Sequence, residues 1–321
     1  MYIRHFLLAL VACTACTGLF AQTWPSKPIR LVVPFTAGGG TDAIGREVTQ
    51  KITDATKWVF IVDNKPGVGG NIGVDNVAKS PADGYSLVLG QTSNLAINPS
   101  LYRKLSYDPV KDLTPISMVA SSPLALVVSA NSPYKTLTEL VAAAKAKPGE
   151  INFATSGNGT VGHLAMELFQ KQAGIKLTHI PYKGASQAAI DVIGGQVQIH
   201  VSSIPTLIGN VKSGKTRALA VTSLKRVDDL PEVPTVAESG YKGFEAVTWF
   251  GVLGPAKLPK DITARLNIEI NKALRTPELR KKLGDQGADV AGSTPEQFGK
   301  LVRDEIARWG KVVKESGATA D

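Results

Sequence analysis

The chain has 321 residues, 43% of them hydrophobic, with 36 Lys and Arg against 27 Asp and Glu for a net charge of +9. About three hundred residues exceed what one hydrophobic core usually organises, so two lobes are expected. The basic residues are scattered and aromatics make up only 6%, which argues against a nucleic-acid partner and leaves small anions, drawn in by long-range attraction.

The N-terminus sets the compartment. Arg4 and His5 precede the apolar run Phe6 to Ala12, and small residues follow toward Ala21 and Gln22, the layout of a secretory signal peptide over 1–21. The run is too short to span a bilayer, which takes about 20 residues, so a soluble periplasmic protein is expected. Leu10-Val11-Ala12-Cys13 offers a second route, a lipoprotein box that would tether the chain through Cys13. Both cysteines, Cys13 and Cys16, lie here, and cleavage after Ala21 removes any disulfide, zinc–thiolate or cysteine-nucleophile chemistry.

After the leader, strand-like and helix-like segments alternate. Ile29 to Phe35 reads as a buried strand, and from Thr41 onward Ile44, Val48 and Ile52 form an apolar helix stripe. Val59 to Val62 is the next strand, Gly67 to Asn71 a flexible turn into the segment ending at Ala78, and Ser86 to Gly90 a third strand. Such alternation predicts a parallel sheet with helices on its faces. The pattern then restarts. Thr136 and Glu139 form a capping box opening a helix that runs through Val141 to Lys147 and stops at Pro148-Gly149. Strands are expected at Ile151 to Thr155, Leu177 to Pro181 and Val197 to Val201, and a helix over Val161 to Ala173 with Leu164 and Leu168 inward. Residues 261–317 read as mainly helical, with Ile262, Leu266, Ile270 and Leu274 as one stripe and Thr294 to Gln297 capping the last helix. Two apolar stretches, Ile116 to Val128 and Val247 to Gly254, are too long and broken for simple strands. They suit segments crossing between lobes, with the ligand cleft where the carboxyl ends of the strands meet.

Two strand-to-helix turns carry the strongest local signal. In the first, Pro34 to Asp42, three glycines let the backbone turn tightly and present N–H groups at a helix N-terminus, which favours an anion. The second, Thr155 to His163, repeats the device and adds hydroxyls at Ser156 and Thr160. One such turn alone is more often a mere connection; one in each lobe suits a cleft closing on a small acid. His163 lies in the first turn of its helix, within donating reach of a ligand or satisfied locally. Tyr182 and the Gly184 backbone end the strand after His179, where the ring and hydroxyl of Tyr182 could line a pocket, and Lys183 beside them is a turn lysine of the usually solvated kind. Asp42, favoured by the helix dipole, would repel a bound anion unless it points away or pairs with an amino group on the ligand.

Other chemistries fit less well. Gly157 to Gly162 formally matches G-x-G-x-x-G, yet 175–182 supplies no acidic residue to hold a ribose. No G-x-S-x-G occurs, and His163, His179 and His200 lack metal-ligand spacing. No catalytic residue, metal or cofactor is therefore expected.

Several segments in order, Trp24-Pro25-Ser26-Lys27-Pro28-Ile29, Pro34-Phe35 through Gly38-Gly39 to Asp42, Asn98 to Tyr102, His179 to Gly184, Asp191 to Val197 and Pro231 to Gly240, resemble the tripartite tricarboxylate transporter receptors, also called Bug receptors. The resemblance covers nearly the whole mature chain. It implies an α/β, two-lobed type II periplasmic binding fold, each lobe a mainly parallel sheet flanked by helices, with ligand carboxylates gripped by the first turn of each lobe. Carried onto this sequence, it points to Phe35, Thr36, Gly38, Gly39 and Asp42 opposite Ser156, Gly159, Thr160 and Tyr182. With the residue readings above, the expected ligand-binding set is those nine together with His163 and Gly184. The expected organisation is one lobe from 22–123 and 248–321 and a second from 124–247. The expected role is a monomeric, non-enzymatic receptor that hands a small carboxylate to membrane permease subunits, with a sensing subunit for a membrane kinase as the alternative.

Overall fold

The computed structural model describes residues 24–320, so the expected leader, with Cys13 and Cys16, lies outside the described residues. Among these, β1 (Ile29–Val33), β2 (Phe60–Asn64) and β3 (Ser86–Gln91) alternate with α1 (Gly40–Thr56) and α2 (Asn71–Ala78), and α3 (Asn98–Leu101) follows a π-helical turn at Ser93–Ile97. Next come β4 (Leu113–Ser129), α4 (Leu137–Ala146), β5 (Asn152–Thr155), α5 (Val161–Ala173), β6 (Thr178–Pro181), α6 (Ala185–Ile193), β7 (Ile199–Ser203), α7 (Ile204–Lys212) and β8 (Thr216–Val221). The chain closes with β9 (Val247–Pro255), α8 (Lys260–Arg275), α9 (Pro277–Gly284), β10 (Asp289–Val290) and α10 (Pro295–Ser316). β1 stops at Val33, short of Phe35, because Pro34 has no N–H to continue a ladder.

The strands order as β2-β1-β3-β9-β4-β7-β5-β6, with β10 and β8 also pairing β4. Strands from the βαβ units pair in parallel, β1 with β2 and β3, and β5 with β6 and β7. The two long apolar stretches enter antiparallel, so each half of the sheet is mixed. β4 pairs with β9 from Leu113 to Pro123 and, from Leu124 onward, with β7 and β8. Register shifts along β4 after Pro115, Met118 and Leu126 account for its broken apolar pattern, since each irregularity re-aims the side chains beyond it. Thr222 ties the two crossing strands together: its hydroxyl accepts from Leu124 N at 2.8 Å and donates to Ala246 O at 2.6 Å.

Local chemistry explains the helices that frame the cleft. α1 buries Ile44, Val48 and Ile52 against the first half-sheet. α5 begins at Thr160, whose hydroxyl accepts from His163 N, and ends at Gly174 in the left-handed region. α10 opens with the capping box of Thr294 and Gln297, as expected, and runs 22 residues. It packs on β4, α3 and α5, and Phe298 fills the space over Gly251 in β9, where any Cβ would collide with its ring.

The anchor of α10 is a buried carboxylate. Glu305 Oε2 accepts from Trp249 Nε1 at 3.1 Å and from Trp309 Nε1 at 3.0 Å, and Arg308 donates to Oε1. Glu305→Ala leaves two buried indole N–H groups unpaired and is expected to destabilise the protein by about 2–4 kcal/mol. Glu305→Gln, whose carbonyl oxygen can serve both indoles, loses much less. Denaturant unfolding of the two variants measures the difference.

Candidate functional site

Four strand-to-helix turns meet at one small cavity. β1 leads through Pro34–Gly39 into α1, β5 through Ser156–Thr160 into α5, β6 through Tyr182–Gly184 into α6, and β7 directly into α7. The cavity measures about 40 Å³. Thr36 and Thr41 line it from the first turn, Ser156 and Thr160 from the second, Ala185 from the third, Ser202, Ser203 and Thr206 from the fourth, and Thr248 from β9. Phe35, Gln91, the apolar Leu124, Val161 and Val201, and Gly39, Gly40 and Gly162 complete the wall, and no charged residue takes part.

The helix ends supply the electrostatics. The N-cap residues of α1, α6 and α7 make no side-chain hydrogen bond to their own first turns, whereas Thr160 caps α5, and in α1 the Gly40 amide is taken by Thr206 Oγ1. Uncapped first-turn amides carry partial positive charge and unused donors, the equipment of an anion site. Thr36 Oγ1 is buried and has no hydrogen-bond partner among the described residues. A buried hydroxyl left unmatched costs about 1–3 kcal/mol, and this one belongs to a residue on the cavity wall.

Side chains from the two halves of the sheet already touch across the cleft. Gly40 N donates to Thr206 Oγ1 at 2.9 Å, Ser186 Oγ to Ala37 O at 3.1 Å and Tyr102 Oη to Asn158 O at 3.2 Å. Missing side chains make this approach possible: a Cβ at Gly184 would lie 2.2 Å from Thr36 Oγ1, and one at Gly40 would lie 2.8 Å from Thr206 Oγ1.

Of the residues expected from the sequence, Phe35, Thr36, Gly39, Ser156 and Thr160 line the cavity. The others lie outside its wall, Tyr182 on the adjoining cavity and Gly184 against Thr36. Asp42 resolves in favour of pointing away: its carboxylate accepts from Arg46 Nε at 3.0 Å, Asn64 Nδ2 at 3.0 Å and Gly38 N at 2.9 Å. Burial pushes its pKa up, but Arg46, the Gly38 amide and Asn64 together outweigh this and hold it below the usual value. The Gly38 N–H is thereby spent inside the loop. His163 accepts from Gly159 N through Nδ1 at 3.3 Å and stacks on His179 with ring centroids 4.2 Å apart. His179 Nε2 in turn meets Thr155 Oγ1 at 2.7 Å, so the histidine pair braces the second turn from below. Tyr182 donates to Asp191 at 2.5 Å, and burial together with that carboxylate pushes its pKa up to about 12.

Gly40 and Thr41 belong to the first turn that the sequence marks, whereas Gln91, Ser202, Ser203, Thr206 and Thr248 carry no signal of that kind. The fourth turn lacks the glycines that marked the first two, but Ser202-Ser203-Ile204-Pro205, a serine before a helix with proline in its first turn, is a readable N-terminus signal.

The model of the tripartite tricarboxylate transporter family receptor matches residues 44–318. This chain belongs to that family. The receptor is 40% identical to BugT of Bordetella pertussis, over 93% of this chain and 92% of that protein. Its fold matches R. palustris Rpa4515 with adipate at a TM-score of 0.90 and 36% identity, covering 92% of this chain and 99% of that one. MatC from Rhodopseudomonas palustris, with bound malate, matches at 0.86 and 30%, covering 90% and 100%. The architecture is therefore the two-lobed periplasmic binding fold, and the family is one of solute receptors rather than enzymes.

The braced histidines make the receptor's stability depend on pH. Burial lowers the pKa of His163 to about 4, and burial with the neighbouring His163 lowers that of His179 to about 3. Both fall below the unfolded value near 6.5, so the unfolded chain takes up protons first as the pH drops. Stability is expected to be full above pH 6.5 and to decline from there toward pH 4 and below. His200, fully buried and likewise lowered to about 4, adds to the same window; His179→Gln should lessen the decline in a denaturant series at stepped pH, while an unchanged slope would remove His179 as a source.

Proposed function

We propose that this receptor captures a small carboxylate between lobes formed by 22–123 with 248–321 and by 124–247, and closes on it. In this reading it acts in the periplasm after export through its leader, and hands the acid to the membrane permease subunits of a tripartite tricarboxylate-type transporter. One observation carries the reading: four helix N-termini, three of them without a cap from the N-cap side chain, converge on a cavity lined in part by Thr and Ser hydroxyls that holds the unpartnered Thr36 Oγ1. Such an arrangement favours an anion whose oxygens accept, and offers nothing specific to a cation. Ser156, Thr160 and the α1 amides are the direct contacts in this reading, and Asp42, Gly159, His163 and Tyr182 shape the turns that carry them. The adipate and malate bound to similar proteins support the same ligand class.

Titration calorimetry of the leader-free protein against carboxylates, with neutral sugars as controls, tests the reading. Acids are expected to bind; sugar binding with no response to any acid would overturn it. Thr36→Val keeps the side-chain shape and removes only the hydroxyl, so affinity is expected to fall by about 1.5–3 kcal/mol, the worth of a hydrogen bond to a charged group, while stability is unchanged or slightly raised.

Closure has its own test in Gly184→Ala. The backbone there is extended, with φ at 173°, and accepts any residue, so only the approach of Thr36 is obstructed. Ligand affinity is expected to drop at least tenfold with the melting temperature of the free protein unaltered; equal loss of both would show a folding defect instead.

A further inference from the structure

Away from the ligand cavity, charge is distributed unevenly among the hollows of the surface. The groove of about 680 Å³ between 223–229 and 281–289 mixes basic residues with a larger number of acidic ones. A different hollow, of about 400 Å³, is built by α8, α9 and the loop from β10 into α10. Its wall holds Lys272, Arg275 and Arg280 and no acid, and it shares no residue with the ligand cavity.

The floor of this hollow is fixed. Asn267 Nδ2 donates to Ile116 O and to Ser293 O, both at 2.7 Å, and Asn271 Nδ2 donates to Ser293 O at 3.1 Å. Met118 N donates to Ser293 Oγ at 2.9 Å, so the loop before α10 is pinned to both β4 and α8. The three cations are held to different degrees. Lys272 pairs with Glu269 at 2.9 Å, outside the wall. Arg280 Nε donates to Leu274 O at 3.2 Å, with no acidic partner among the described residues. The Arg275 side chain is exposed and makes no hydrogen bond or ion pair among the described residues. All three stand at the C-terminal end of α8, whose partial negative charge lets cations gather there without acids between them. Ile268, half exposed, adds an apolar contact to the same wall.

We propose that this hollow is the surface by which the receptor docks on its membrane permease, with Arg275 and Arg280 taking the carboxylates of an acidic periplasmic loop. The proposal rests on the transport reading above and adds the place of contact. Charge and size favour this occupant. External loops of membrane proteins are poor in Lys and Arg, so the charge they present to the periplasm is carried by Asp and Glu. Arginine forks match carboxylates in geometry as well as in sign. A lone inorganic anion would fill little of about 400 Å³, and exposed cations hold it weakly because salt screens them. A protein surface gains from several such charges at once, through steering and through register. Because the ligand cavity lies elsewhere, docking leaves its wall free to bind and release the acid.

Uptake by spheroplasts of the host deleted for this receptor, resupplied with the purified protein, tests the assignment, using a labelled acid that the calorimetry above finds bound. Arg275→Glu, and Arg275→Glu combined with Arg280→Glu, are expected to cut uptake by about tenfold or more. Acid affinity and the melting temperature of Arg275→Glu should stay at the native values, since that side chain has no contact to lose, and Arg275→Lys should keep most of the uptake. Native uptake rates from both charge-reversed proteins overturn the proposal, as does a loss of acid affinity that matches the loss of uptake. If those proteins instead lose binding of pyrophosphate or of phosphatidylglycerol vesicles at native uptake rates, the hollow serves a small anion or the lipid surface, and the docking assignment falls. These outcomes leave the carboxylate receptor standing. Uptake that does not depend on the receptor at all would remove the transport reading as well.

Discussion

Four helix ends can share one cavity only if almost nothing projects from their tips. Gly40, Gly162 and Gly184 meet that condition, since a Cβ at any of them would fall within 2.8 Å of a facing atom, Thr206 Oγ1, Val201 O and Thr36 Oγ1 respectively. A lysine or arginine at such a tip would hold the helices apart and bring a charge whose burial costs several kcal/mol unless fully paired. Peptide dipoles avoid that cost, because they are fixed by the fold and need no counter-ion while the site is empty. Each contributes about 0.3–1 kcal/mol toward an anion, more when partly buried, so convergence of several replaces the missing cation.

Shared contacts also require two halves that move as units. The first half is stiffened by the hold of Asp42 on Arg46, Asn64 and Gly38, and by α10, whose Glu305 receives both indoles. The second half has its turn wired to the stacked His163 and His179. Two crossing segments joined at Thr222 run between them, and α10 also spans them, packing on β4, α3 and α5.

Much of this was readable in the sequence, for identifiable reasons. Period-four stripes such as Ile44, Val48 and Ile52 found α1, and glycine clusters found the first two turns, because both signals are local. The fourth turn went unread: its tip is Ser203-Ile204-Pro205, and without glycines it looks like any strand end. α6, α7 and β8 were likewise not named, being short and embedded among other apolar segments. Asp42 posed a question that only partners distant in sequence could answer, since Asn64 lies in β2. The mixed character of the sheet was hidden because direction of pairing is a property of β4 and β9 together, not of either segment alone.

What dipoles and hydroxyls can distinguish limits what the helix ends alone can select. A ring of Thr and Ser oxygens with aligned amides responds to charge and to the planar pair of oxygens, and is nearly indifferent to what the carboxyl carbon is attached to. Affinity of this kind would serve any acid equally. Choice has to come from surfaces that meet the remainder of the molecule. The turn at Gly67–Gly70 and the segment Pro181–Lys183 line the neighbouring cavity, so in the proposed reading substitutions there would change the ligand while the dipoles of α1, α5 and α7 keep their grip on the acid.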